Sequence, residues 1–132
     1  MNRVFQLEIV TPTRYVNLEN VEYLRAPGAD GLFGVAGGHA SALIALGVGE
    51  LKVTVEGNEA FWSTSGGYAE ITPEKVQLLL ETAETAAEID SKRAQDAIER
   101  AQKRLGQRDV DEKRAQAALM RAINRLRVRK RF

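Results

Sequence analysis

The sequence predicts an α+β fold, mainly β and then α: an N-terminal β-sandwich followed by a C-terminal antiparallel two-helix hairpin. Two observations predict it. Residues 4–80 are short alternating or apolar runs broken at close intervals by Gly, Pro and Asn, the pattern of many short strands in a sandwich or barrel. After Ala86 and Ala87 the apolar residues recur at steps of three and four, which is a helical period. The charge changes sign over the same region, since residues 1–99 carry 7 Lys or Arg against 15 Asp or Glu, whereas 100–132 carry 12 against 3. This asymmetry is silent on fold, but it means that the two ends attract different partners, or each other. The expected domains are 1–86 and 87–132.

Element by element, residues 4–10 form a strand that ends at Thr11-Pro12, and 21–25 one that ends at Ala26-Pro27-Gly28. Residues 49–55 alternate cleanly into the turn Glu56-Gly57-Asn58, which leads into a strand over 59–63. Strands over 66–71 and 76–80 follow, separated by Thr72-Pro73-Glu74. The Gly-rich stretch 31–39 lacks the Gly-Lys-Ser/Thr ending of a phosphate loop, and Gly47-Val48-Gly49 lacks the third glycine of a dinucleotide site. Both read as turns and places of close backbone approach. Asp90 is placed to N-cap a first helix with Ala94, Ala97, Ile98, Ala101 and Leu105 on one stripe, stopped by Gly106. Asp109 and Glu112 resemble a capping box for a second helix striped by Ala115, Ala118, Leu119, Ala122, Ile123 and Leu126. The short link between the helices favours an antiparallel pair. Because the seam is mostly Ala, and a buried methylene contributes about 0.8 kcal/mol, the hairpin is expected to hold together weakly and to detach easily.

Composition excludes several function classes. The 132 residues suit one core-sized domain with an appendage, and no run approaches the ~20 apolar residues that cross a bilayer. The start of the chain lacks a secretory pattern, so a cytosolic or peripheral protein is expected. With no cysteine and a single histidine, His39, neither a metal site nor a catalytic triad is expected. His39 reads as a loop residue or part of a partner interface, and Trp62 beside Phe61 as core or interface. No nucleophile, base and oxyanion set can be assembled, so the chain is not expected to be an enzyme and requires no cofactor.

Four motifs in order carry a family resemblance: Asp30-Gly31-Leu32-Phe33-Gly34-Val35, then Gly38-His39-Ala40, then Ser65-Gly66-Gly67-Tyr68-Ala69-Glu70, then an Ala-rich hairpin closing on Leu126-Arg127-Val128. Together they resemble the epsilon subunit of bacterial F-type ATP synthase over essentially the whole chain. The family usually has Pro where this chain has Gly37, often Pro at Ser41, and often an acid at Leu32. The resemblance implies a noncatalytic central-stalk subunit of a proton-translocating rotary complex, peripheral on the cytoplasmic face of the bacterial plasma membrane. Its sandwich would bind the gamma subunit and sit on the ring of c subunits, with Asp30, Leu32 and His39 at that interface; membrane contact would come only through the complex. Its hairpin would lie folded against the sandwich or extend to the catalytic beta subunits and suppress ATP hydrolysis, using a basic tail of Arg121, Arg125, Arg127, Arg129, Lys130 and Arg131.

Residues 89–94, Ile-Asp-Ser-Lys-Arg-Ala, match the pattern of epsilon subunits that bind ATP. The resemblance assigns Glu84, Ile89, Asp90, Arg93, Ala94, Arg100, Arg121 and Arg125 to a regulatory ATP. Asp90, Arg93 and Arg100 can share one helical face, and Arg121 and Arg125 another. Arginines gathered across a folded hairpin repel unless an anion lies between them, and a triphosphate would supply it. A plainer reading stands beside this one: Asp90 as a helix cap, Arg93 and Arg100 as solvated charges, and Asp96–Arg100 and Glu99–Lys103 as i,i+4 pairs. The competing class is a small basic-helix nucleic-acid-binding module. Against it, the second helix carries no stacking aromatic before Phe132, so no nucleic-acid partner is expected.

Overall fold

The computed structural model describes residues 3–107 and 110–132. Its strands are β1 (Phe5–Thr11), β2 (Arg14–Gly28), β3 (Gly31–Ala36), β4 (Ala42–Leu46), β5 (Gly49–Val55), β6 (Asn58–Thr64), β7 (Gly67–Ile71), β8 (Lys75–Leu80) and β9 (Ala83–Thr85). A 3-10 turn at Ala86–Glu88 leads to α1 (Ser91–Leu105) and α2 (Glu112–Arg129).

Strand β2 belongs to both layers of the sandwich. Its first half pairs antiparallel with β1, which pairs parallel with β8; β8 continues to β7 and β4. Its second half pairs with β3 and β5, and β5 continues to β6 and β9. The crossover falls where the register with β5 shifts between Val21 and Tyr23, next to Asn20, which has φ 56°. Asparagine tolerates that left-handed conformation better than most side chains, so the bend sits on a suitable residue. Between the layers lie Leu7, Ile9, Val21, Leu24, Leu51, Val53, Val76 and Leu78, all at most 1% exposed. Burial alternates in β7 and β8, as period-two patterning requires.

The expected strands form, with additions. Strands β3, β4 and β9 are additional, and β2 is longer than its apolar run. The Gly-rich stretch is not all turn: Gly31–Ala36 pairs with β2, and Gly34 there accommodates the Tyr23 ring, which a Cβ would strike. Composition pointed to a turn, whereas edge pairing with a long neighbour decided for a strand. Glu56 and Gly57 have φ of 50° and 78°, a two-residue hairpin loop between the paired Val55 and Asn58.

Asp90 caps α1, its Oδ1 accepting from the amides of Lys92 at 3.0 Å and Arg93 at 3.1 Å. The cap of α2 is Asp111, which accepts from Arg114 N at 3.1 Å; the expected cap Asp109 lies outside the described residues. Gly106 ends α1 in right-handed geometry, with φ −91°, so its left-handed freedom is unused. Ala94, Ile98 and Ala101 of α1 and Ala115 and Ala122 of α2 are buried along the expected seam. Ile123 departs from it, being 39% exposed, while Asn124 and Val128 are 7% and 0% exposed. The reason is that α2 has two buried faces. At 100° per residue, Ala115 and Ala122 point to α1, and Asn124 and Val128 point roughly the opposite way, toward β5, β6 and the 3-10 turn that α2 packs on.

Candidate regulatory seam

The residues before α1 form a fixed base. Thr85 and Glu88 make a reciprocal capping box around the 3-10 turn. Arg14 Nη1 donates to Glu88 Oε2 at 2.5 Å, and its guanidinium stacks 5.1 Å from the Trp62 ring centre. The hydrogen bond from Arg14, with that from Thr85, holds the Glu88 carboxyl below the usual glutamate range, and Glu88 raises Arg14 in return. Beyond Glu88 the backbone is extended at Ile89 and Asp90, the two residues that join this turn to α1.

Among the described residues, four contacts hold α2 and the turn after it to the sandwich and to residues 86–89. Val128 fills a small apolar cluster with Ala86 and Ile89, and Phe61 packs against it. Arg125 is bidentate to Glu84, with Nε–Oε1 at 2.7 Å and Nη2–Oε2 at 3.0 Å. Asn124 Nδ2 donates to Gly49 O at 2.8 Å and to Ser63 Oγ at 3.0 Å. Arg131 is bidentate to Glu50 at 3.0 and 3.2 Å and stacks 4.8 Å from the Phe61 ring centre. Glu50 also accepts from Arg25 at 2.8 Å. The opposite charges of the two halves thus meet within one molecule.

Between hairpin and sandwich lies a cavity of about 320 Å³, lined by Ser63, Thr64, Ser65, Thr82, Glu84, Ala97, Ala118, Arg121, Ala122 and Arg125. Of the residues assigned to ATP, it brings together Glu84, Arg121 and Arg125. Ile89 and Ala94 are buried, and Asp90 Oδ1 caps α1. Arg93 and Arg100 are exposed on α1 and do not line the cavity. Among the described residues, neither Asp96–Arg100 nor Glu99–Lys103 forms an ion pair. In the basic tail, Arg127 and Lys130 are exposed, and Arg129 stacks on Phe132 at 4.6 Å. Asn124 and Glu50 carry none of the sequence-derived roles. The available signal was a single asparagine in an Ala- and Arg-rich helix.

At the surface of the sandwich, a cleft of about 390 Å³ includes Asp30, Leu32, Phe33, Leu43 and Ile44. Leu32 and Leu43 stand 67% and 72% exposed there, an apolar pair left to solvent. His39 is not part of this cleft. It is half-buried in the β3–β4 loop, with Nδ1 2.8 Å from Ala40 O.

Comparison with known proteins covers both halves of this architecture. Residues 4–86 match the family "ATP synthase, Delta/Epsilon chain, beta-sandwich domain", and residues 87–130 match "ATP synthase, Delta/Epsilon chain, long alpha-helix domain". The chain is 47% identical over 107 residues to the ATP synthase epsilon chain of Nitratidesulfovibrio vulgaris, covering 81% of this chain and 80% of that one. It is 40% identical over 105 residues to the epsilon chain of Koribacter versatilis, covering 80% and 74%. In fold it resembles a chain of the Euglena gracilis mitochondrial ATP synthase, seen with OSCP, F1 and c-ring, at a TM-score of 0.72 and 22% identity over 96% of this chain and 78% of that one. With sandwich and hairpin each matched, and relatives aligned along most of their length, the chain belongs to the ATP synthase delta/epsilon family.

Proposed function

We propose that this chain restrains ATP hydrolysis by the complex through a hairpin that leaves the sandwich, and that ATP favours the folded position. An epsilon chain of an F-type ATP synthase is a noncatalytic subunit, so the chemistry belongs to the complex. Among the described residues no helix is long and apolar enough to cross a membrane. The sandwich would bind the gamma subunit and c-ring, with the exposed Leu32 beside Asp30 as contact. The extended hairpin would meet the catalytic beta subunits through its basic face.

The observation that carries this reading is the kind of surface by which α2 is attached. One small apolar cluster and a few polar contacts hold it, so separation exposes little apolar area. The nucleic-acid reading is not favoured, because the family is that of a rotor subunit and Arg125 and Arg131 are paired with carboxylates of their own sandwich. For ATP, Arg121 and Arg125 offer forked donors beside the cavity, and Arg125 would exchange Glu84 for phosphate oxygens. Bringing Arg93 and Arg100 to the same anion requires their exposed side chains to turn across α1. Calorimetric titration tests this ligand, and binding untouched by Arg125→Ala and by Arg93→Ala would remove it. The inhibitory role is tested by reconstituting the catalytic head and gamma subunit with the whole chain or with one cut after Ala87. Faster hydrolysis with the cut chain is expected, and equal rates would sink the proposal.

A further inference from the structure

We infer that Asn124 is a register latch: its side-chain amide, buried against Gly49 O and Ser63 Oγ, makes docking of the hairpin specific for one position while leaving it weak enough to open. This rests on the reading that the hairpin moves. On the sandwich side of α2, Arg121, Asn124 and Val128 follow a helical spacing, and of these Asn124 and Val128 are buried. Val128 can pack wherever a hollow accepts two methyl groups. An amide is more selective, because burial removes its water and only correctly placed acceptors compensate.

Those acceptors come from two strands. Gly49 opens β5 and Ser63 lies near the end of β6, so the amide reads their relative placement. The charged contacts fall on the same two spots. Glu50, next to Gly49, takes Arg131, and Glu84, the register partner of Ser63 across β6 and β9, takes Arg125. Sliding α2 by one turn would bring Met120 or Val128 to the acceptors and leave the amide, Gly49 O and Ser63 Oγ unpaired. Both misplaced arrangements lose on the polar side, whatever the apolar cluster recovers. Once the hairpin is fully detached, water satisfies all three groups, so detachment carries no such penalty. The amide therefore disfavours misregistered states and leaves two: docked in register, or free. A lone buried amide that fixes register at some expense of stability is a known device between helices; here it acts between a helix and a sheet.

The chain has no cysteine, so Ala86→Cys introduces a single thiol in the cluster that Val128 covers. Its labelling rate by a thiol reagent, in the full chain, reports the open-to-docked ratio. Asn124→Ala is expected to raise that rate about tenfold and Ser63→Ala about threefold. The double variant should stay near the Asn124→Ala value, because both changes break one contact. Ile123→Ser, on the exposed neighbouring position, should stay within about twofold of the parent. An Asn124→Ala rate within about twofold of the parent, or fully multiplicative effects in the double variant, would overturn the latch. If Asn124→Ala does not fold, Ser63→Ala alone decides between a raised and an unchanged rate. ATP hydrolysis by the head with gamma is read in parallel. A raised labelling rate with unchanged inhibition keeps the latch and removes the inhibitory role, so the two ideas fail separately.

Discussion

Val128→Ala isolates the apolar part of the hairpin's attachment. Val128 is fully buried among Ala86, Ile89 and Phe61, and the change deletes two methyl groups. At about 0.8 kcal/mol each the transfer loss is about 1.6 kcal/mol, and incomplete collapse of the space left raises it to about 2 kcal/mol. Ala also has a higher helix propensity than Val by a few tenths of a kcal/mol. That gain is present in α2 whether docked or free, so it cancels from the docking equilibrium. Docking should weaken by about 2 kcal/mol, roughly a thirtyfold rise in the labelling rate of a thiol at Ala86→Cys, while helix content by circular dichroism is unchanged or slightly higher. The midpoint for melting of the sandwich should scarcely move, since the cluster is separate from the main core. A labelling rate changed by less than about threefold, or a parallel loss of sandwich stability, would refute the idea that Val128 acts at a local, separable seam.

Two further outcomes follow from the geometry. Glu56 occupies the first left-handed position of the β5–β6 loop, so Glu56→Asn should stabilise the sandwich by about 1 kcal/mol, visible as a rise of several degrees in the melting temperature. Glu88 has a lowered folded pKa, so its contact with Arg14 contributes fully above the unfolded value and is lost as pH falls through the lower folded one. An NMR titration should find the Glu88 carboxyl titrating below an ordinary glutamate, and Arg14→Ala should move its midpoint upward; equal midpoints would mean the ion pair does not form in solution.

Much of the architecture was legible because it depends on local pattern. Alternation in residues 49–55, the Glu56-Gly57 turn, the Asp90 cap and the Ala seam of α1 each follow from a few neighbouring residues. Strands β3, β4 and β9 were not legible, since short Gly- or Ala-rich segments become strands only when a neighbour supplies hydrogen bonds. The α2 stripe was half legible: Ala115 and Ala122 lie where the period places them, but Ile123 does not. A helix packed on both sides has two periodic faces, and the one built from Arg121, Asn124 and Val128 does not look apolar. Within the seam between hairpin and sandwich, Glu84, Arg121 and Arg125 share a cavity, whereas Arg93 and Arg100 stay on the solvent side of α1.

By itself the sequence determined the order of sandwich and hairpin, the Ala seam of the helices and the opposite charge of the two halves, and its ordered motifs pointed to the family. The first three depend on composition and short-range periodicity and the last on the order of short motifs, none of which needs knowledge of what touches what. Only the tertiary structure decided how the charges are used. It paired Arg125 with Glu84 and Arg131 with Glu50, buried Asn124 against β5 and β6, and tied the 3-10 turn at Ala86–Glu88 to Arg14. Those partners stand 41 to 81 residues apart in the chain, and a pairing at that separation is selected by the packing of whole elements.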